Sequence, residues 1–258
     1  MRIQHNIMAM NANRNLTFNN TQMSKNLEKL SSGYRVNRAG DDAAGLAISE
    51  SMRRSIASYK QGINNANDGI SLIQTAEGAL TEVHSMLNRA QTLVTQKGNE
   101  TLTSTDKAKI KDELTQLSSE ISRILGKTEF NGKSLLSASL SVKIDLGDAG
   151  SITIKNSTAL KTTITLSSAT TADNIKSYIN KVSTVRSTLG AYQNRLEHTV
   201  NNMGVTMENL QSAESTIRDV NIADEMMAYT KNNILIQSAQ AMLAQANQVP
   251  QGVLQLMQ

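Results

Sequence analysis

Between Met52 and Val94 every seventh residue is apolar: Met52, Tyr59, Ala66, Ile73, Leu80, Leu87 and Val94. The series Arg54, Gln61, Asp68, Thr75, Glu82, Arg89 and Gln96 beside it is polar throughout. A seven-residue repeat sustained this long predicts one helix with a coiled-coil-like seam. At 1.5 Å per residue the seam runs roughly 63 Å, more than a compact globular domain needs, so it requires a partner of equal length. The chain supplies one. Ile175, Val182, Leu189, Leu196, Met203, Leu210 and Ile217 also step by sevens, beside Tyr178, Val185, Tyr192, Thr199, Thr206, Ala213 and Val220. Equal seams separated by a short middle region predict two helices lying side by side in one antiparallel rod.

Composition supports a helical assembly over an enzyme. The 258 residues include no Trp, no Cys, two Phe and one Pro, so the core must come from Leu, Ile, Val, Met and Ala. Without Cys there are no disulfides and no thiolate metal sites. The formal charge of +4 is spread along helices among acidic residues, which argues against a nucleic-acid partner. No run of 18 apolar residues suggests a membrane span, and MRIQHNIMAMNANRN has no apolar core or cleavage site of a secretory signal peptide. His5, His84 and His198 lie on different predicted helices with no second ligand at i+3 or i+4. With no phosphate loop, dinucleotide fingerprint or nucleophile elbow either, we expect no catalytic residues, no metal and no cofactor.

In chain order, residues 3–31 read as a first helix, with Ala9, Leu16, Met23 and Leu30 repeating by sevens, Leu27 beside them and Gly33 as the stop. Asp41 and Asp42 stand where a cap and a first-turn acid belong, opening a long helix of about 43–97. Gly45, Gly62, Gly69 and Gly78 inside that helix each cost about 1 kcal/mol relative to Ala, and close backbone packing would compensate. A shorter helix of about 105–125 carries the stripe Ile110, Leu114, Leu117, Ile121 and Ile124. A β-hairpin region of about 138–167 follows: Leu140, Val142, Ile144 and Leu146 alternate, GDAG turns the chain, and Ile152 and Ile154 alternate again. Ile164 and Leu166 suggest a third strand. The second seam helix runs about 173–217.

The C-terminal segment has no charged side chain after Lys231. Its apolar groups point in more than one direction: Ile222, Met226, Tyr229, Ile236 and Leu243 on one side, Leu235, Ala239, Met242, Val249 and Val253 on another. A helix apolar on two faces must be covered on two faces. Neighbouring copies of the chain are the natural cover, and order at the termini is expected to depend on them.

Several runs resemble bacterial flagellin closely. They are LEKLSSGYRVNRAGDDAAGLAISE, NANDGISLIQTAEGAL and TEFNGKSLL, then LGAYQNRLEHTVNN, ENLQSAESTIRDVNIADEM and NNILIQSAQAMLAQANQVPQGVLQL. The resemblance covers about residues 1–136 and 175–258. It implies an extracellular filament subunit, exported unfolded, in three parts: an inner-core helix and spoke loop (1–42), a rod (43–217) and a second inner-core helix (218–258). The rod seam would use Met52, Tyr59, Ile73, Leu80, Leu87 and Val94 against Val182, Leu189, Leu196, Met203, Leu210 and Ile217. Candidates for the polymer core are Leu16, Met23, Leu27 and Leu30 with Ile236, Met242, Leu243, Val249, Val253, Leu254 and Leu256. The short middle region implies a thin filament without outer projections.

The resemblance also implies partners: further copies of the chain, an export chaperone over the C-terminal segment, and filament cap and hook-junction proteins. By the same resemblance Arg89, Leu93 and Glu113 correspond to contacts with the vertebrate Toll-like receptor for flagellin, although Gln91 and Thr92 depart from the usual charged pattern. Two other readings fit parts of the sequence. A hook–filament junction protein would share the termini, and a coiled-coil adaptor would share the heptads but leave the charge-free tail unexplained.

Overall fold

The structure, a computed structural model, describes residues 6–137, 139–156, 160, 164 and 171–256, with backbone alone at 156 and 249–256. Its helices are α1 (Ile7–Ser32), α2 (Ala43–Lys97), α3 (Ser104–Lys127), α4 (Ala172–Arg218) and α5 (Ile222–Leu256). Its strands are β1 (Glu129–Phe130), β2 (Lys133–Ser134), β3 (Leu140–Asp145) and β4 (Ser151–Asn156). The chain folds as two compact units, Ser55–Glu208 and Met1–Arg54 with Asn209–Gln258, and both divisions fall inside continuous helices.

In the Ser55–Glu208 unit the heptads become a core. Ile73, Leu80 and Leu87 of α2 are fully buried, as are Val182, Leu189, Leu196 and Met203 of α4, while Tyr59 and Val94 are half-buried at its margin. Arg186 reaches across from α4 to Glu77 on α2 at 3.4 Å. The α3 stripe buries Ile110, Leu114, Ile121 and Leu125 in the same cluster, with Leu117 and Ile124 half-buried against it. The helix begins at Ser104, one residue before the expected start, with Thr103 as its cap. Thr103 Oγ1 accepts from the Asp106 backbone N–H, and the Asp106 carboxylate accepts from the Thr103 N–H, forming a capping box.

Strands β3 and β4 pair antiparallel with Val142 opposite Ile154 and Ile144 opposite Ile152. Alternation therefore collects Ile144, Ile152 and Ile154 on one buried face. The turn docks on α2: Asn65 Nδ2 donates to the Asp145 carbonyl at 2.8 Å, and the Asp148 N–H donates to Ser58 Oγ at 3.0 Å. The close-packing expectation holds at Gly62, where an added Cβ would stand 2.5 Å from the Leu146 carbonyl oxygen, and at Gly69, where it would meet the Ile144 side chain. It fails at Gly78, which faces open space.

Two local readings change. Ile164 lies in no strand: its N–H bonds the Leu160 carbonyl at 2.9 Å, and the two side chains are buried together as an i,i+4 pair. Leu166 lies outside the described residues. The second is an additional hairpin, β1–β2, turning at Asn131 and Gly132 with φ of 49° and 74°. The Asn-Gly dipeptide signals such a turn.

In the other unit α1 and α5 form a pair within one chain. Each terminal helix thus covers one face of the other. Asp42 is the cap of α2, accepting from the Gly45 N–H at 2.9 Å. Asp41 instead accepts from the Asn37 and Arg38 N–H groups and closes the preceding loop.

Candidate assembly surface

The α1–α5 pair is antiparallel. Asn6, at the start of α1, reaches Ala246 near the end of α5, and Asn26, near the end of α1, reaches the first turns of α5. Of the polymer-core candidates, Ile236 is buried between the helices, and Leu16, Met23, Leu30 and Leu243 are half-buried. Leu27 and Met242 are exposed, at 46% and 66%. Val249, Val253, Leu254 and Leu256 lie where side chains are outside the described set.

Several large apolar side chains of α1 and α5 are left uncovered. Met8, Phe18 and Met242 are more than 60% exposed, and Leu235 is 40% exposed. With Ala12, Ala239, Ser238 and three asparagines they line an open groove of about 620 Å³ that contains no ionisable group. Apolar groups left open in this way mark an interaction surface on a soluble chain. The absence of charge lowers the desolvation cost of covering it.

At the junction of this unit, the segments flanking α1 and α5 are stitched by backbone and by one arginine. Tyr34 bridges Asp219 as an isolated antiparallel pair, the Arg35 N–H donates to the Arg218 carbonyl, and the Val220 N–H donates to the Gly33 carbonyl. The Arg218 side chain, 12% exposed, bonds Glu50 at 2.8 Å and stands 4.6 Å from the centre of the Tyr34 ring. The Arg218 hydrogen bond holds the Glu50 carboxyl below its ordinary pKa. Met52, Leu210 and Ile217, the seam residues of this unit, are half-buried. Sequence reading missed the Arg218 cluster, because residues 168 positions apart carry no spacing signal.

The receptor-contact candidates come together in the other unit. Arg89 on α2 and Glu113 on α3 form an exposed ion pair at 2.8 Å. Leu93 does not join them at the surface: it is 2% exposed, facing the core with its heptad series. His84 is half-buried with Nδ1 unpartnered, His198 is exposed, and His5 is outside the described residues. Among the described residues no group of His, Asp and Glu is placed to hold a metal, and no helix is long and apolar enough to cross a membrane.

Comparison with known proteins accounts for both units. The family described as bacterial flagellin N-terminal helical region matches residues 3–141, and the corresponding C-terminal helical region matches residues 172–257. A flagellin of Halalkalibacterium halodurans is 51% identical with both chains fully covered. The flagellar filament 33 kDa core protein of Treponema phagedenis is 42% identical, again over the whole of both chains. Among solved structures, the crystal structure of a Bacillus cereus flagellin is 33% identical, covering 54% of this chain and 88% of that one at a TM-score of 0.49.

Proposed function

The chain belongs to the bacterial flagellin family, and is by that a structural filament subunit; from this premise we propose how its own residues serve the filament. The subunit is exported unfolded, polymerises outside the cell through the α1–α5 pair, and forms a filament that drives swimming. The observation carrying this reading is the charge-free apolar groove of α1 and α5, which only further subunits of the same kind would cover along a helical polymer. Residues 1–42 and 218–258 form the inner layer and residues 43–217 the outer wall. With a short stretch between α3 and α4, whose described residues hold the two small hairpins β1–β2 and β3–β4, the filament is thin and carries no outer projections.

Electron microscopy of the purified protein after salting-out tests the reading. Long tubes support it, and persistently soluble particles sink it. Removing residues 240–258 abolishes tubes while leaving α2, α3 and α4 helical. The neutral surface of α5 suits a channel through which unfolded subunits slide, because fixed charges would retain passing chains. Replacing exposed Gln240 and Ala244 with Lys therefore shortens filaments, and normal length in that variant counts against the channel role. An export chaperone would cover the same segment before assembly, and cap and hook-junction proteins would contact the ends of the polymer.

A second reading concerns a vertebrate host. The proximity of Arg89 and Glu113 supports a Toll-like receptor contact made by that pair, with Leu93 acting from beneath by packing α2 on α3. Binding of the monomer to the receptor ectodomain should weaken in Arg89→Ala and in Glu113→Ala. Equal binding by parent and both variants ends this reading.

A further inference from the structure

Helix α5 continues to Leu256 through Pro250, the one proline of the chain. Proline has no backbone N–H, so the carbonyl four residues earlier loses its helical partner. That carbonyl belongs to Ala246, which is buried. Its acceptor capacity is met from the other helix: Asn6 Nδ2 donates to the Ala246 oxygen at 2.7 Å. The same side chain caps α1, with Oδ1 accepting from the Ala9 N–H at 3.1 Å. One amide thus uses its acceptor within its own helix and its donor on the gap that Pro250 leaves in α5.

A second asparagine acts at the far end of the pair. Asn26 is 8% exposed, and hydrogen bonding sets its amide so that nitrogen donates to Glu225 Oε1 at 3.0 Å and oxygen accepts from Asn232 Nδ2 at 3.1 Å. Between these points Ile236 is buried and Leu16, Met23 and Leu243 are half-buried. A polar pair that fits in one alignment only is the device that sets register in coiled coils.

We propose that Asn6, paired with the carbonyl freed by Pro250, pins the register of α1 along α5, and that Asn26 pins the opposite end. After a one-turn slide Asn6 would face a carbonyl already bonded within α5, and the Ala246 oxygen would be buried without a donor. The pins act inside one subunit. Their consequence for polymerisation rests on the reading of α1–α5 as the assembly surface, because a shifted pair presents a different groove.

The full chain has no cysteine, so engineered pairs report the register directly. Ala12→Cys with Ala239→Cys samples the observed alignment, and Ala12→Cys with Leu235→Cys samples a slide of one turn; all three positions line the groove. Asn6→Asp keeps the helix cap and removes the donor, and should cut the ratio of aligned to shifted crosslink about tenfold, the size of one buried group left unsatisfied. Pro250→Ala returns an N–H to Ala246, so in that background Asn6→Asp should leave the ratio nearly unchanged. A ratio unmoved by Asn6→Asp, or moved equally in both backgrounds, overturns the proposal. Polymerisation of the same variants, without the cysteines, tests the other link. Slow assembly of Asn6→Asp that Pro250→Ala relieves supports it, and full-rate assembly from a subunit with shifted crosslinks removes the α1–α5 pair as the assembly surface while the pin stands.

Discussion

Gly62 and Gly78 lie on the same helix under opposite constraints. At Gly62 a Cβ would press on the Leu146 carbonyl, and that turn has little room to yield, because the Leu146 N–H is bonded to the Gly150 carbonyl and Asn65 holds the Asp145 carbonyl. Gly62→Ala should therefore destabilise the protein by about 1–3 kcal/mol, as overpacking does. Gly78→Ala meets nothing within 4 Å and should stabilise by about 1 kcal/mol through helix propensity. Thermal unfolding of the two variants checks both signs at once. Arg218 poses a different residue-scale question, because it combines a carboxylate partner with a ring face. Lysine keeps the charge but loses the flat guanidinium over Tyr34. Arg218→Lys should let the Glu50 carboxyl return toward its ordinary pKa and loosen the Tyr34–Asp219 bridge, seen as faster amide exchange at residues 34–35 and 219–220.

At the scale of the element, α3 shows how a helix end becomes acid-sensitive. The hydrogen bond from the Thr103 hydroxyl, followed by that from its backbone N–H, holds the Asp106 carboxyl below its ordinary 3.8. A carboxyl depressed in the folded state contributes stability above its unfolded pKa and loses it as pH falls through the lower folded value. The N-terminal turn of α3 should hold at pH 5 and fray below about 3.8, read as amide exchange at Lys107, Ala108 and Lys109. Thr103→Ala removes the side-chain cap and the larger cause of the shift, leaving only the backbone N–H, so that turn should already be loose at pH 5. The Arg89–Glu113 pair between α2 and α3 makes no comparable contribution. Both side chains are more than 40% exposed, and ion pairs in that setting add little. Leu93 is buried in the cluster that also takes in Ile110, Leu114, Ile121 and Leu125 of α3.

Across the whole molecule, burial is unequal between the two units. Ser55–Glu208 contains a continuous buried cluster drawn from α2, α3, α4 and the hairpin. The other unit buries few hydrophobic side chains, Val36, Ile236 and Ala246 among them, and leaves Met8, Phe18 and Met242 open. Local stability follows buried apolar contact, so amides of α1 and α5 should exchange well before those of the α2 and α4 seams. Polymerisation should raise protection in α1 and α5 far more than in the cluster. Uniform exchange in the free subunit would contradict this division.

Heptads at Met52–Val94 and Ile175–Ile217 and alternation at Leu140–Ile154 sufficed to read the helices and the hairpin, because each is a periodic signal carried by neighbouring residues. Long, specific runs did the same for the family. Tertiary structure decided the rest. Leu93 is buried while Arg89, four residues earlier, is open; Asp42 rather than Asp41 caps α2; the Ile164 N–H bonds the Leu160 carbonyl instead of joining a strand. Arg218 finds Glu50 and Tyr34, and Asn6 finds the carbonyl that Pro250 leaves free. These are choices among partners distant in sequence, and a repeat says which face of a helix is buried but not which polar groups meet across it. Only the packed chain brings the donor and the unpaired acceptor within 3 Å.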